Sequence, residues 1–477
     1  MRAEKISQIK RWIGVTLILT IVIGLGLWEL DKPKLTVANK AQLSQAIQNS
    51  SQADSKSIFR MVRLIALSHS LRNLAAGLPV RSVSVGIITT QTPSKVWSAR
   101  RVELELLQTI LLEGPVRYRP LNAGAIEVTD AQSLKYLVRS LCQLTASAAF
   151  LKDYKTCDQS VRLLMLLSKR LLDAGGGYSE YQISTTVWNS VETTIADLGR
   201  RSDCPEQLIQ FVLTQLTSPK GDPWLEKAIT TEYQEYIVPR LAQPSLFMKD
   251  LIHHGMGIQD FDSYFEPSPE DYSGLGTFDP DVAIPEINHI YNIESTNAMR
   301  PLSQEDKSVN KLTSVLQHQL PRSRGRKGTF ERTQFRFVMN NMPNSIGKAL
   351  TVRFGGQEAQ DLLIQSHHWR AINQCNRVLL ATRLYRLAHH GDLPLTLAEL
   401  VPQYLPKIPE DPYNAKLLHY DTGRQRVWSV GDNLIDDGGK FDGRVSINKD
   451  IGVLLELHKP EDPTVSMPIL RQLQGVR

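Results

Sequence analysis

The stretch that most restricts this chain is "WIGVTLILTIVIGLGLWEL", Trp12 to Leu30, with no charged residue between Trp12 and Trp28. A helix of roughly seventeen to nineteen residues, rising about 1.5 Å per residue, spans roughly 25–28 Å, close to the hydrocarbon thickness of a bilayer. The segment is apolar on every face, which does not suit a surface helix of a soluble domain. Trp12 and Trp28 stand at its ends, where amphipathic rings prefer the membrane interface. Arg2, Lys5, Lys10 and Arg11 precede it against a single Glu4. That bias predicts a cytoplasmic tail over 1–11 and everything beyond the span outside. The run is long for a signal peptide, and "GLGLWELDK" offers no small-x-small cleavage site. Residues 12–30 therefore read as an uncleaved transmembrane anchor.

The rest of the 477-residue chain is long enough for two or three domains with real cores. With 42% hydrophobic and 22% charged residues it is globular in character rather than disordered. A net charge of +6 is small for this length and leaves no concentrated basic stripe, so no nucleic-acid partner is predicted. Cys142, Cys157, Cys204 and Cys375 lie far apart with no C-x-x-C pair, so neither a zinc site nor a disulfide framework is written.

From 31 to 256 the pattern is helical. After Thr129-Asp130, a candidate N-cap, Leu134, Leu137, Leu141, Leu144, Ala148 and Leu151 recur at steps of three and four. "KDYK" breaks the run, and Val161, Leu164, Leu167 and Leu171 continue it on a second helix closed by Gly175–Gly177. So short a turn makes the pair antiparallel. It also offsets Cys142 from Cys157 by about 12 Å along the axis, beyond the roughly 7 Å that a disulfide tolerates. Ile183, Val187, Val191, Ile195 and Leu198 mark a third helix. "SDCPEQ" starts a fourth, with Ser202 or Asp203 as cap and Pro205 in its first turn. The hairpins resemble tetratricopeptide-type arrays, but no consensus repeats at a fixed spacing, and an irregular all-α bundle is the simpler reading.

Residues 257–365 change texture. They begin with an acidic, aromatic, proline-broken stretch and hold one dense basic run, "PRSRGRKG" at 321–328, so they read as a loop-rich extension of the helical domain. The basic run suits either an anionic surface or a plain solvated loop. An amphipathic helix then starts near His367, with Trp369, Ile372, Cys375, Leu379, Leu380, Leu384 and Leu387 on its inner face. Arg370, Asn373, Arg377, Arg383 and Arg386 spread over the rest, and His390-Gly391 closes it. "KLLHYD", "RVWSVG" and "IGVLLEL" follow as strands, so 366–460 forms a small α+β head and 461–477 a tail.

No nucleophile elbow, P-loop, dinucleotide fingerprint or H-E-x-x-H helix is present. His253-His254, His367-His368 and His389-His390 are adjacent pairs, and adjacent side chains on a helix diverge by about 100°, which prevents a shared metal. The chemistry concentrates in "WSVGDNLIDDGGK", Trp428 to Lys440. Asn433, Asp436 and Asp437 supply hard oxygens, Gly431, Gly438 and Gly439 allow a tight backbone, and Asp442 and Asp450 return later. On residues alone, a hairpin with an Asp-Asp-Gly-Gly turn is the simpler reading of this stretch, and the spacing is not that of an EF-hand.

The run "ATRLYRLAHHGDLPLTLAELVPQYLPKIPEDPYNAKLLHYD…VWSVGDNLIDDGG" resembles the C-terminal part of the major pseudopilin of type II secretion systems. Leu384, Tyr385, Arg386, Gly391, Pro394, Leu397, Leu400, Pro409, Asp411, Pro412, Tyr420, Ser429, Val430, Gly431, Gly438 and Gly439 carry the match, which covers under a fifth of the chain. In that family the glycine-rich loop binds calcium through Asp side chains and backbone carbonyls. The resemblance therefore implies a carbonyl ligand from Val430 and a carboxylate from Asp436 or Asp437. Asn433 stands where the family has an Asp, which implies weaker binding. "GVTLIL" from Gly14 echoes the family's processing site, but Val15 replaces its aromatic and Leu19 its glutamate, and apolar segments produce such strings readily.

The sequence thus predicts a mainly α protein with a single transmembrane helix, a large all-α helical-hairpin domain and a small pseudopilin-like α+β head. The expected setting is a bacterial inner membrane, with the bulk of the chain periplasmic. The expected role is a non-enzymatic structural or interaction component, with protein partners in the cell envelope or secretion machinery and Ca2+ as the one implied cofactor. A tetratricopeptide-like binding scaffold capped by the head, and a hydrolase with an unrecognised site in the helical domain, are the alternatives.

Overall fold

The computed structural model describes residues 55–71, 73–74, 78, 92–116, 128–216, 219–238, 278–319, 340–354, 357–441 and 449–456. The expected anchor at 12–30, the Gly14 string, His253-His254, the basic run at 321–328 and Asp442 lie outside those residues. Among the described residues no helix is long and apolar enough to cross a membrane.

The protein is mainly helical with one small antiparallel sheet. Helices α1 (Ser55–Leu71), α2 (Pro93–Ala99) and α3 (Arg101–Leu112) lead into the hairpins written by the leucine spacing. These are α4 (Val128–Phe150), α5 (Tyr154–Ala174), α6 (Tyr178–Arg200) and α7 (Glu206–Gln215). Leu134, Leu137, Leu141, Leu144 and Ala148 of α4 are buried against Val161, Leu164, Leu167 and Leu171 of α5 in one core. Each such leucine contributes about 2 kcal/mol by leaving water. Asp153 caps α5 by accepting from Thr156 N at 3.2 Å, and Gly175 ends it at φ 69°.

Three boundaries differ from the sequence reading, the first being that α4 starts at Val128, so Thr129-Asp130 lie in its first turn instead of capping it. Leu151 is 46% exposed, because α4 ends at Phe150 and the turn lifts Leu151 off the stripe. The fourth helix starts at Glu206 rather than after Ser202 or Asp203, with Pro205 as its cap residue. Asp203 instead pairs with Arg201 at 2.9 Å and lies 3.9 Å from Lys152, so its carboxylate is not free to cap.

A second group of helices follows: α8 (Pro223–Thr231), prolonged by a π-turn at Glu232–Ile237, then α9 (Pro280–Ala298), α10 (Ser308–Gln319) and α11 (Ser345–Phe354). The described part of 257–365 is therefore largely helical, not loop-rich. Pro280 and Pro285 read as breakers in the sequence. Pro280 sits in the first turn, where its missing N–H costs nothing, and Pro285 is on the exposed side. Ala283, Ile284, Ile287, Ile290 and Tyr291 make the buried stripe.

The spine of the molecule is α12 (Gln357–Ala388), which begins ten residues before the predicted start near His367. It packs against α6 and α7 on one side and the sheet on another. Trp369, Cys375, Leu379, Leu380 and Leu384 are buried as expected, but so are Asn373 and Arg377, while Leu387 is 43% exposed. A helix covered on several sides has no single apolar stripe to display. Contact with α6 is close at Gly199, where a Cβ would stand 3.0 Å from Leu380 Cδ2. Beside it Glu192 is buried and accepts from Trp188 Nε1 at 2.8 Å; burial pushes its carboxyl up to about 8.

One buried carboxylate joins the two groups of helices. Asp222 Oδ1 caps α8 through Trp224 N and Leu225 N. Its Oδ2 accepts from Tyr181 Oη of α6 at 2.5 Å, and from Ser366 Oγ and Trp369 Nε1 of α12 at 2.6 and 3.2 Å. Asp222 N donates to Ala298 O at 2.8 Å, and Gly221, at φ 83°, passes so near α9's end that a Cβ would meet Met299 Cα at 2.5 Å.

Asp222→Ala would remove the acceptor of five donors; Trp369 Nε1 keeps Tyr181 Oη, and the buried Tyr181 Oη, Ser366 Oγ and Leu225 N are left without theirs, each costing about 1–3 kcal/mol. We predict a stability loss of at least about 3 kcal/mol, measured by urea unfolding with the adjacent Trp224–Trp369 pair as fluorescent probe. Glu192, raised in the fold, gives a second expectation. Its contribution is fully present below the unfolded carboxyl value and is lost as pH rises through about 8. Glu192→Gln should therefore flatten the fall in melting temperature between about pH 5 and about pH 9; an unchanged slope would show that other groups set it.

Candidate metal loop on the C-terminal head

The head is built on the C-terminal half of α12. Strands β1 (His419–Asp421), β2 (Arg426–Ser429) and β3 (Ile451–Leu454) form an antiparallel sheet in the order β1-β2-β3, matching the three apolar runs read from the sequence. Val427 pairs with Val453, and both are buried against Cys375, Val378 and Leu379 of the helix. A 3-10 turn at Leu397–Leu400 with a Thr396/Glu399 capping box puts Leu397 and Leu400 into the same core. Tyr420 Oη donates to Pro394 O at 2.8 Å, which fixes the segment leaving α12 against β1.

The acidic stretch is not a tight hairpin turn: β2 and β3 are neighbours in the sheet, but residues 430–450 intervene. Asp411 anchors where this connection leaves β2. Its Oδ1 accepts from Tyr413 N and Ser429 Oγ, and its Oδ2 from Val430 N, all at 2.8–2.9 Å. Burial pushes the Asp411 carboxyl above the usual range, and these bonds oppose the push. The motif "P-E-D-P" marked this aspartate in the sequence, but nothing there showed that it would clamp the loop.

Beyond Val430 the chain folds on itself. Gly431, at φ 68°, lies where a Cβ would be 2.1 Å from Lys449 O, so the two arms of the connection touch backbone to backbone. Gly439 packs under Trp428, whose ring stacks on His419 with centroids 5.3 Å apart. Asn433 Oδ1 accepts from Ile435 N, and its Nδ2 donates to Asp437 Oδ2 at 3.2 Å. Asp436 Oδ1 accepts from Trp428 Nε1 and Gly438 N, each at 2.9 Å, and Oδ2 is 3.2 Å from His419 Nδ1. Against the effect of burial, these partners hold Asp436 below the usual carboxylate range.

Asp450 is the exception. Its Oδ2 accepts from Gly439 N at 2.7 Å, yet its buried Oδ1 has no hydrogen-bond partner. Burial raises its carboxyl, the negative charges of Asp436 and Asp437 raise it further, and N–H bonds from Asp437 and Gly439 resist. The structure thus brings Asp436, Asp437 and Asp450 within each other's electrostatic reach and sets Asn433 on Asp437. Val430 is buried at the loop's entrance, its N–H held by Asp411, and Asp442 lies outside the described residues. Among the described residues no three His, Cys, Asp or Glu side chains are grouped as a metal's ligands would be.

His367 is buried inside α12 and His389 stacks on Tyr385 at 3.8 Å at the helix end. All four cysteines carry free thiols. Other buried carboxylates, Asp222, Glu192 and Glu294, sit apart in packed interior, each bonded to an aromatic N–H or hydroxyl, and Glu192 Oε2 and Glu294 Oε1, like Asp450 Oδ1, have no hydrogen-bond partner. A cavity of about 10 Å³ between Leu172, Glu180, Tyr181 and Trp224 has room for about one water. No protein-family model, no curated protein and no solved structure matches the chain.

Two of the loop's glycines give a paired expectation. Gly431→Ala meets both a left-handed backbone and Lys449 O, and should cost about 2 kcal/mol or more. Gly438→Ala, with only the Arg424 side chain 3.8 Å away, should cost about 1 kcal/mol of backbone strain. Chemical denaturation of both variants checks whether the closed loop is the more demanding constraint.

Proposed function

We propose that this protein is a membrane-anchored structural or interaction component of a bacterial cell envelope, with a periplasmic helical domain and a pseudopilin-like head that calcium stabilises. The observation that carries the reading is the head itself. A long helix lies on an antiparallel sheet, and the connection between β2 and β3 is a glycine-rich acidic loop holding a buried carboxylate oxygen without a partner. The end of the helix, β1, β2 and the loop as far as Gly439 sit on the residues that carry the resemblance to the pseudopilin. The anchor rests on the apolar, uncharged span at 12–30 with its basic N-terminal flank. Protein partners in the envelope or secretion machinery follow from that setting.

The chemistry of these residues suits a hard cation, although the described carboxylates are not already drawn together as a ligand set. Asp450 Oδ1 is unsatisfied, and Asp436 and Asp437 repel it, so a divalent ion would relieve both costs. Asp437 and Asp450 would be its charged ligands, with Asp436, Asn433, Asp442 and the Val430 carbonyl completing an all-oxygen set. Bound calcium would supply no chemistry beyond charge neutralisation, and would hold the connection folded. A scaffold with an open aromatic groove is less favoured, because Tyr178, Tyr181, Trp188 and Tyr233 are buried, and the exposed Tyr136 and Phe150 stand well apart along α4.

The test is a thermal melt of the full chain in detergent, first in chelator and then in millimolar calcium. At about a hundredfold over the dissociation constant, the head should gain roughly 2.7 kcal/mol. Asp437→Ala combined with Asp450→Asn should abolish the gain. Identical melts in chelator and in calcium would overturn the calcium-stabilised head.

A further inference from the structure

The seam between the helical region and the head contains a histidine whose surroundings ask for two protons. His367 is fully buried on α12. Its Nδ1 lies 2.7 Å from Leu363 O and its Nε2 3.2 Å from Arg300 O. A neutral imidazole has one N–H, so one of these contacts would set a lone pair against a carbonyl oxygen. On the same edge of the ring stands Glu305, its Oε1 3.7 Å from Nδ1, buried and with no hydrogen-bond partner. An imidazolium satisfies both carbonyls and places a positive charge beside that carboxylate.

Neither group holds its charge easily alone. Burial pulls His367 down to about 4, with Arg370 one turn along adding to the effect, and the bonds to Leu363 and Arg300 oppose it. Burial pushes Glu305 up to about 7 against the pull of Lys307. From the head, the Tyr413 ring sits 5.6 Å from the imidazole, with the charges of Asp411 and Asp432 bearing on Tyr413. From the end of α9 only the Arg300 carbonyl reaches the ring, and Asp306 is exposed and bonded to Ser308. Among the described residues Glu305 is thus the one carboxylate that pairs with the imidazole.

We propose that His367 and Glu305 hold one proton between them as an imidazolium–carboxylate pair, and that releasing it loosens the seam between the helical region and the head. The segment 300–305 transmits the change. It carries Arg300 O and Glu305, and it also bonds the head through Leu302 N to Pro412 O at 3.2 Å and Ser303 N to Tyr413 O at 2.9 Å. Leu302 packs against the cluster of Ala371, Tyr413, Val430 and Ile451. Without the proton, the segment faces a bare ring nitrogen and keeps a buried, unpaired carboxylate.

The full chain in detergent, with histidine rings labelled with nitrogen-15, tests this directly. The His367 ring should be doubly protonated near pH 6 and lose one proton as pH rises through neutrality. Corrected for intrinsic rates, hydrogen exchange at the Leu302 and Ser303 amides should be about tenfold faster near pH 8 than near pH 6, the equivalent of one lost hydrogen bond. Glu305→Gln should leave His367 neutral and remove the pH dependence of that ratio. A wild-type His367 ring that is neutral near pH 6 would overturn the proposal, and this signal decides even if the variant does not fold. So would a pH-dependent ratio that survives in Glu305→Gln.

Discussion

Burying a carboxylate is costly unless every lone pair is met, and Asp222 shows what meeting them entails. Its donors come from α6, from α12 and from the first turn of α8, and its own N–H reaches the end of α9. These elements are far apart in the chain, so the carboxylate is satisfied only when the two groups of helices have docked in one register. Arg370, on the same helix as Ser366 and Trp369, feels the charge of Asp222 and balances it within the interior. Leucine stripes alone would let neighbouring helices slide by a turn at small cost. A shared polar node does not.

From that node α12 runs toward the head, and its middle turns are the common wall of both regions. Gly199 lets α6 approach one side of it, while Val427 and Val453 press on another. The polar residues buried along it, Asn373, Asn376 and Arg377, line this double-sided contact. The head is therefore the end of a structural member that begins deep in the helical region, and a disturbance at either end has a rigid path to the other.

Elements with one buried face were legible in the sequence. Apart from Leu151, the stripes of α4, α5 and α6 stand where periodicity placed them, because the residues of each stripe share one core, and the three strands lie on the apolar runs that marked them. The start of α12 was not, since its apolar residues are distributed around the helix and show no single stripe ahead of His367. Nor was α9, where two prolines outweighed a sound isoleucine stripe. In the candidate loop the residue types were readable, but their partners were not. That Asp411 clamps Val430, that Trp428 and His419 hold Asp436, and that Asp450 alone keeps an unmet oxygen all depend on contacts across many residues of chain. Only their docking reveals them.

The contact between Arg200 and β3 bears on how the head meets other molecules. Leu455 N already bonds Gln425 O, and outward- and inward-facing groups alternate along an antiparallel strand, so Leu454 O points away from β2. Arg200 Nε donates to that oxygen at 2.9 Å. An extended segment seeking to add to this sheet at β3 would first have to displace a guanidinium rooted in α6. The helical region thus seals an edge that a free-standing head would leave open to strand addition and aggregation.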